Sequence, residues 1–241
     1  MSILETCNLL SFSEIIGSVS DFIEQYGTML LTGIGDTLYM TLLSTLLSYA
    51  IGLPVGIVLY ITAKNGMIPH PKLNAVLGAI VNILRSIPFI ILILFLVPFT
   101  RAIVGTVIGP SSAVVALVVA ASPFVARLVE SSMAEINTGV IEAAKTMGAT
   151  NWQIIYKVLV PESIPSLIRG SSIATITIIG YSAMAGAVGA GGLGDIAIRY
   201  GYHRYDGSMM FVTIILLIII VQGIQAIFNV IAKKIDKRNI K

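Results

Sequence analysis

Charge is what this sequence has least of. Of its 241 residues 11% are charged and 56% are hydrophobic, with a mean hydropathy of +0.94. So few charges cannot furnish the polar surface of a water-soluble domain of this length, which excludes a soluble globular fold. There is one cysteine, Cys7, so an intramolecular disulfide and a cysteine-built metal site are excluded as well. The two histidines, His70 and His203, fall in loops expected on opposite sides of a bilayer and cannot share a metal. The chain has no glycine-rich phosphate loop of the Walker type and no nucleophile–base pair, so no intrinsic catalytic activity is expected. The net charge of +3 comes from basic residues beside apolar segments, without interleaved aromatics, and nucleic acid is not an expected partner. Leu4 to Cys7 faintly resembles a lipoprotein cleavage box, but no basic start and no apolar core precede it, so neither a signal peptide nor a lipid anchor is expected.

What the chain does have is long apolar runs. About 20 apolar residues at roughly 1.5 Å each cross a hydrocarbon core of about 30 Å. Five stretches meet that condition: about 37–61, 73–97, 111–133, 167–188 and 209–231. The expected fold is therefore an all-α integral membrane protein of about five transmembrane helices. Gly52, Pro54 and Gly56 predict a kink in the first span. Residues 1–27 carry Glu5, Glu14, Asp21 and Glu24 but neither Lys nor Arg, and apolar residues recur there at helical spacing. They read either as an external amphipathic helix at the membrane surface or as a passive leader.

Basic residues set the orientation. With the amino terminus outside, Lys64, Lys72, Lys145, Lys157, Arg169, Lys233 and Lys234 become cytoplasmic, as does the tail 232–241, while Arg101, Arg199 and Arg204 stay outside. A polar insert, 138–163, then faces the cytoplasm between the third and fourth spans. Thr138 is expected to cap a first short helix carrying Glu142, Ala143, Ala144 and Met147, which Gly148 ends by taking a positive φ. Glu142 near that helix start would complement the macrodipole. Thr150 and Gln153 have the capping-box spacing for a second helix, whose Trp152, Ile154, Ile155, Val158 and Leu159 require burial and which Pro161 should stop. Two short helices joined at a glycine make either an ordinary packed loop or a knob that enters a partner's groove.

Glu142-Ala143-Ala144, Gly148, Val158 and Pro161 resemble the EAA motif of permease subunits in ATP-binding-cassette importers, with Val158 and Val160 in place of the usual Ile and Leu. The segments IGLPVGIVLY, VNILRSIPFIILILFLVPFTR and GYSAMAGAVGAGGLG extend the likeness from about Gly33 to the end of the chain. They are similar to the methionine-import permeases of the type I importer family. The resemblance implies a type I permease domain over 33–231 with a cytoplasmic coupling insert, in a bacterial cytoplasmic membrane. It also implies a homodimer, two copies of an ATPase subunit that holds ATP and Mg, an external methionine-binding lipoprotein, and no cofactor on this chain. The insert residues Glu142, Ala143, Ala144, Met147, Gly148 and Pro161 would couple to the ATPase.

Arg85 lies inside the second span, where a charge must snorkel, pair or face a wet interior. The favoured reading is hydrogen bonding to loop carbonyls near the inner end, with substrate contact as the alternative. Arg127 and Glu130 read as an exit into water. Tyr181, Ser182 and Met184 bring two hydroxyls and a thioether among small residues. They could line a substrate path, as the resemblance implies for the fourth span, or simply pack helices. The glycines from 186 to 194 suit either a pliant docking loop or a tight re-entrant turn. Competing functions are an ion-driven secondary amino-acid transporter and an ABC permease for another small amino acid. The first predicts paired halves and midplane carboxylates, and the chain shows neither.

Overall fold

The structure, a computed structural model, describes residues 12–235. Among the described residues the chain is helical throughout, without a strand: α1 (Phe12–Thr62), α2 (Pro71–Ser86), α3 (Phe89–Phe95), α4 (Val97–Val104), α5 (Pro110–Ala134), α6 (Thr138–Thr146), α7 (Asn151–Ile154), α8 (Val160–Ala185), α9 (Gly192–Ile196) and α10 (Gly207–Ile235). Four helical runs are long and apolar enough to cross a membrane: Glu24–Thr62, Pro110–Ala134, Asn151–Val188 and Gly207–Ile235. A fifth crossing exists if α2 and α3 are taken together, although they bend by 100° at the break between them. The second span, expected over 73–97, is thus broken into two helices. Pro88 has no N–H for the helical ladder, and its ring bars the residue before it from helical geometry; Ile87 accordingly takes φ −82° and ψ 123°.

The first helix corrects an expectation. Residues 12–27 belong to the same 51-residue helix as the span and form no separate element, because nothing before Pro54 interrupts the ladder. Residues 1–11 and 236–241, with Cys7 and the last basic residues, lie outside the described residues. The helix also continues through Pro54. Its glycines there serve close approach: a Cβ on Gly52 would stand 2.8 Å from the Ser122 carbonyl oxygen, and one on Gly56 2.5 Å from that of Ala126. Removing both Cβ atoms lets the backbones of α1 and α5 touch, as membrane helices do when dispersion and not water drives their association.

α5 is the centre of the bundle, with Ala116, Leu117, Ala121, Val125, Ala126 and Val129 buried against α1, α8 and the bent span. On α1 the hydroxyls of Thr41, Ser44 and Ser48 are buried in this packing without a hydrogen-bond partner among the described residues. Beyond α8 the glycine-rich segment folds back tightly. A Cβ at Gly194 would strike the Ala183 carbonyl, Leu193 N–H donates to Thr37 Oγ1 at 2.9 Å, and that hydroxyl donates to Gly33 O at 2.8 Å. Pinned in this way, the segment is a re-entrant turn and not a pliant loop.

Candidate functional site

The insert between α5 and α8 is built from strong local signals. Asn137, not Thr138, caps α6, its side-chain oxygen accepting from Gly139 N–H at 2.8 Å. The hydroxyl of Thr138, already inside the first turn, is not the cap. The helix ends in the Schellman arrangement, with Ala149 N–H bonded to Ala144 O, Gly148 N–H to Lys145 O, and Gly148 at φ +80°. Thr150 and Gln153 then make both bonds of a capping box: Thr150 N–H to Gln153 Oε1 at 2.8 Å, and Gln153 N–H to Thr150 Oγ1 at 3.3 Å.

The second short helix of the insert is not the separate element expected from its sequence. Asn151–Val188 is one helical run, and Pro161 does not stop it. A wider turn at Ile155–Leu159, closed by Val160 N–H to Ile155 O, precedes the proline and makes room for a ring that would otherwise strike the carbonyl four residues back. The fourth span therefore continues rigidly into the insert. Ile154, Ile155 and Leu159 are buried against Ile141 and Ala144 of α6 and against the inner end of α1, at Tyr60 and Ile61. Trp152, expected inside, is 75% exposed.

The insert's outer surface carries Glu142, Ala143, Met147, Gly148 and Pro161, all exposed, while Ala144 faces inward. The two alanines of the motif thus do different work. Ala143 leaves the outer face low, and Ala144 lets α6 pack on the span behind it. Glu142 sits in the second turn, with no acid in the first, so it does not answer the helix dipole.

Inside the membrane the structure separates the other candidates. Tyr181 stacks on Phe89 with ring centroids 4.8 Å apart and planes 5° apart, tying α8 to the start of α3. Ser182 is 2% exposed and donates to Ile179 O on its own helix, so its hydroxyl packs and is not offered to a path. Met184 is 52% exposed on the protomer. Arg85 is not near the inner end. It lies in the last turn of α2, exposed, with its guanidinium 5.9 Å from the centroid of the Phe124 ring.

Arg127 and Glu130 form an ion pair on α5. Arg127 donates to Glu130 Oε2 at 2.6 Å, to Asn82 Oδ1 at 2.9 Å and to Gly78 O at 3.3 Å, joining α5 to α2. The i, i+3 spacing of Arg127 and Glu130 was the available signal for their pairing. Asn82 had none, since its partner stands 45 residues away.

Long apolar helices with a capped polar insert between two of them define a multi-pass helical membrane protein. Residues 52–241 match the family model described as the binding-protein-dependent transport system inner membrane component, and the chain belongs to this family. It is 49% identical over 210 residues to the probable D-methionine transport system permease protein MetI of Vibrio cholerae, covering 87% of this chain and 93% of that one. It is 48% identical to the methionine import system permease protein MetP of Bacillus subtilis, over 75% of this chain and 81% of the relative. Among solved structures, a chain of the MetNI methionine ABC transporter in inward-facing form superposes with a TM-score of 0.88 at 48% identity, covering 89% of this chain and 99% of that chain. An amino acid ABC transporter at 18% identity, with a TM-score of 0.72, shares the fold. The chain is thus an inner-membrane component with several membrane-spanning helices.

Proposed function

We propose that this chain is the permease of an ATP-driven importer that carries methionine across the bacterial cytoplasmic membrane. The supporting observation is the insert: a capped, outward-facing α6 with Glu142, Ala143, Met147 and Gly148 on its free surface, fused behind to a span. Such a piece transmits force. Closure of an ATPase pair on ATP moves the docked insert, and the rigid run from Asn151 into α8 carries that movement to the spans, shifting the population between inward-open and outward-open states.

The working assembly in this reading has two copies of the chain, two cytoplasmic ATPase subunits and an external methionine-binding lipoprotein. ATP and Mg²⁺ belong to the ATPase, and this chain holds no cofactor and performs no hydrolysis. The amino terminus is outside and the carboxyl terminus cytoplasmic, as the basic residues favour. The test is reconstitution of the chain with its ATPase and binding protein in liposomes. Methionine uptake should require ATP and survive collapse of ion gradients. Uptake driven by an ion gradient without ATP would overturn the reading.

A further inference from the structure

Two arginines stand in the interface between α2 and α5, and they are not equivalent. Arg127 is satisfied three times over, by Glu130, Asn82 and Gly78. Arg85, one turn beyond Asn82, rests its guanidinium on the Phe124 ring and makes no hydrogen bond or ion pair among the described residues. Five N–H donors are left without an acceptor.

The depth of this group can be bounded from both ends. Arg85 is 14 residues from the start of α2 and Phe124 is 14 residues from the start of α5, which runs the other way; each is about 21 Å from its own end of the bundle. Against a hydrocarbon core of about 30 Å, the pair that meets here meets near the midplane. The side chain of a helical residue also leans towards its helix's amino terminus, which draws Arg85 away from the nearer headgroups. Neither layer of lipid phosphate is within easy reach. A charge so placed does not face lipid, so the exposed face carrying Asn82 and Arg85 borders a wet interior.

Among the acidic residues whose side chains are described, a second copy of the chain offers none placed to neutralise it: Glu24, Asp36, Asp195 and Asp206 group towards one end of the bundle and Glu135, Glu142 and Glu162 towards the other. Glu130, six residues along α5 from Phe124, is held by Arg127. Twofold symmetry repeats the same residues, so among the described side chains it adds no free carboxylate beside Arg85. The counter-charge has to arrive with the cargo.

We propose that Arg85 receives the α-carboxylate of the amino acid in transit at the membrane midplane. This rests on the importer reading above and adds a ligand group to it. The planar fork of the guanidinium suits a carboxylate through two parallel N–H···O bonds, and the Phe124 ring lies beneath the guanidinium carbon at 5.9 Å. Asn82 on the previous turn is engaged by Arg127, which keeps a neighbouring amide from competing for the fork.

The test is equilibrium binding of radiolabelled methionine to the permease–ATPase complex in nanodiscs, without the external binding protein, with methionine and methioninamide as competitors. The wild-type complex should prefer the acid to the amide by roughly tenfold or more, the size of a charge-assisted pair. Arg85→Gln should bind both alike, and its reconstituted uptake should fall by about the same factor. Arg85→Lys keeps the charge without the fork and should retain a preference reduced severalfold, which supplies the answer if the glutamine variant does not assemble. An acid-to-amide ratio in either variant equal to that of wild type overturns the proposal, as does a wild-type complex with no saturable methionine binding. Either result leaves ATP-dependent uptake by the wild-type transporter intact, so it is distinguishable from failure of the importer reading.

Discussion

Replacing Gly148 separates backbone strain from crowding in the insert. Its φ of +80° lies in the left-handed region, and a Cβ built there meets nothing within 4 Å. Within the protomer the cost of a side chain is therefore strain alone, about 1 to 2 kcal/mol for an ordinary L-residue and up to about 3 for a β-branched one. Asparagine adopts this conformation more readily than alanine although it is larger. Strain predicts mild loss for Gly148→Asn, about 1 kcal/mol or roughly fivefold for Gly148→Ala, and the greatest loss for Gly148→Val. Crowding by a docked ATPase predicts instead that asparagine is worse than alanine. Co-purification with the ATPase, ATP hydrolysis and methionine uptake should be measured on one preparation of each variant. The alanine-worse-than-asparagine order supports a docked surface that needs this turn; the reverse order refutes the strain argument. Wild-type values for the valine variant in all three assays would remove the insert's coupling role.

Further expectations concern topology, path and packing. In a Cys7-free background, single cysteines at the exposed turn 203–205 should react with an impermeant reagent on intact cells and a cysteine at 145 should not; labelling at 145 reverses the orientation. Met184→Ala, which alters an exposed thioether, should change methionine uptake or selectivity with assembly intact. Ser182→Ala should leave transport near wild type, because that hydroxyl is spent on Ile179 O; equal effects of the two would argue against the split drawn between them. Gly56→Leu forces α1 off the Ala126 carbonyl and should lower the thermal stability of the purified protein by about 1 to 3 kcal/mol or block assembly. An unchanged melting temperature would refute the close packing of α1 on α5.

The parts legible in sequence are those written locally. Apolar runs announce membrane helices because a bilayer demands about 20 residues of internally bonded backbone whatever the neighbours do. The glycine turn at 148 and the Thr150–Gln153 box are equally local, since each partner lies within one turn and the bonds form as the helix does. Sequence misleads where a local signal has a distant answer. Gly52 and Gly56 show in sequence only a missing side chain; α5 lying against them explains the gap. Pro161 suggests a stop because the widened turn before it, which accommodates the ring, has no residue signature of its own.

Tertiary structure alone decided which polar groups are satisfied. Arg85 and Arg127 are the same residue type inside neighbouring helices, and sequence spacing pairs only Arg127 with an acid. The antiparallel packing of α2 on α5 gives Arg127 its further partners, Asn82 and Gly78, and sets Arg85 on an aromatic ring with its donors unused. In the same way α8 turns Ser182 into the bundle and leaves Met184 outside, two positions apart, because a helix advances about 100° per residue and only one arc faces the core. Composition determined that this chain lives in a membrane; the packing of its helices determined where, inside that membrane, a charge is left free.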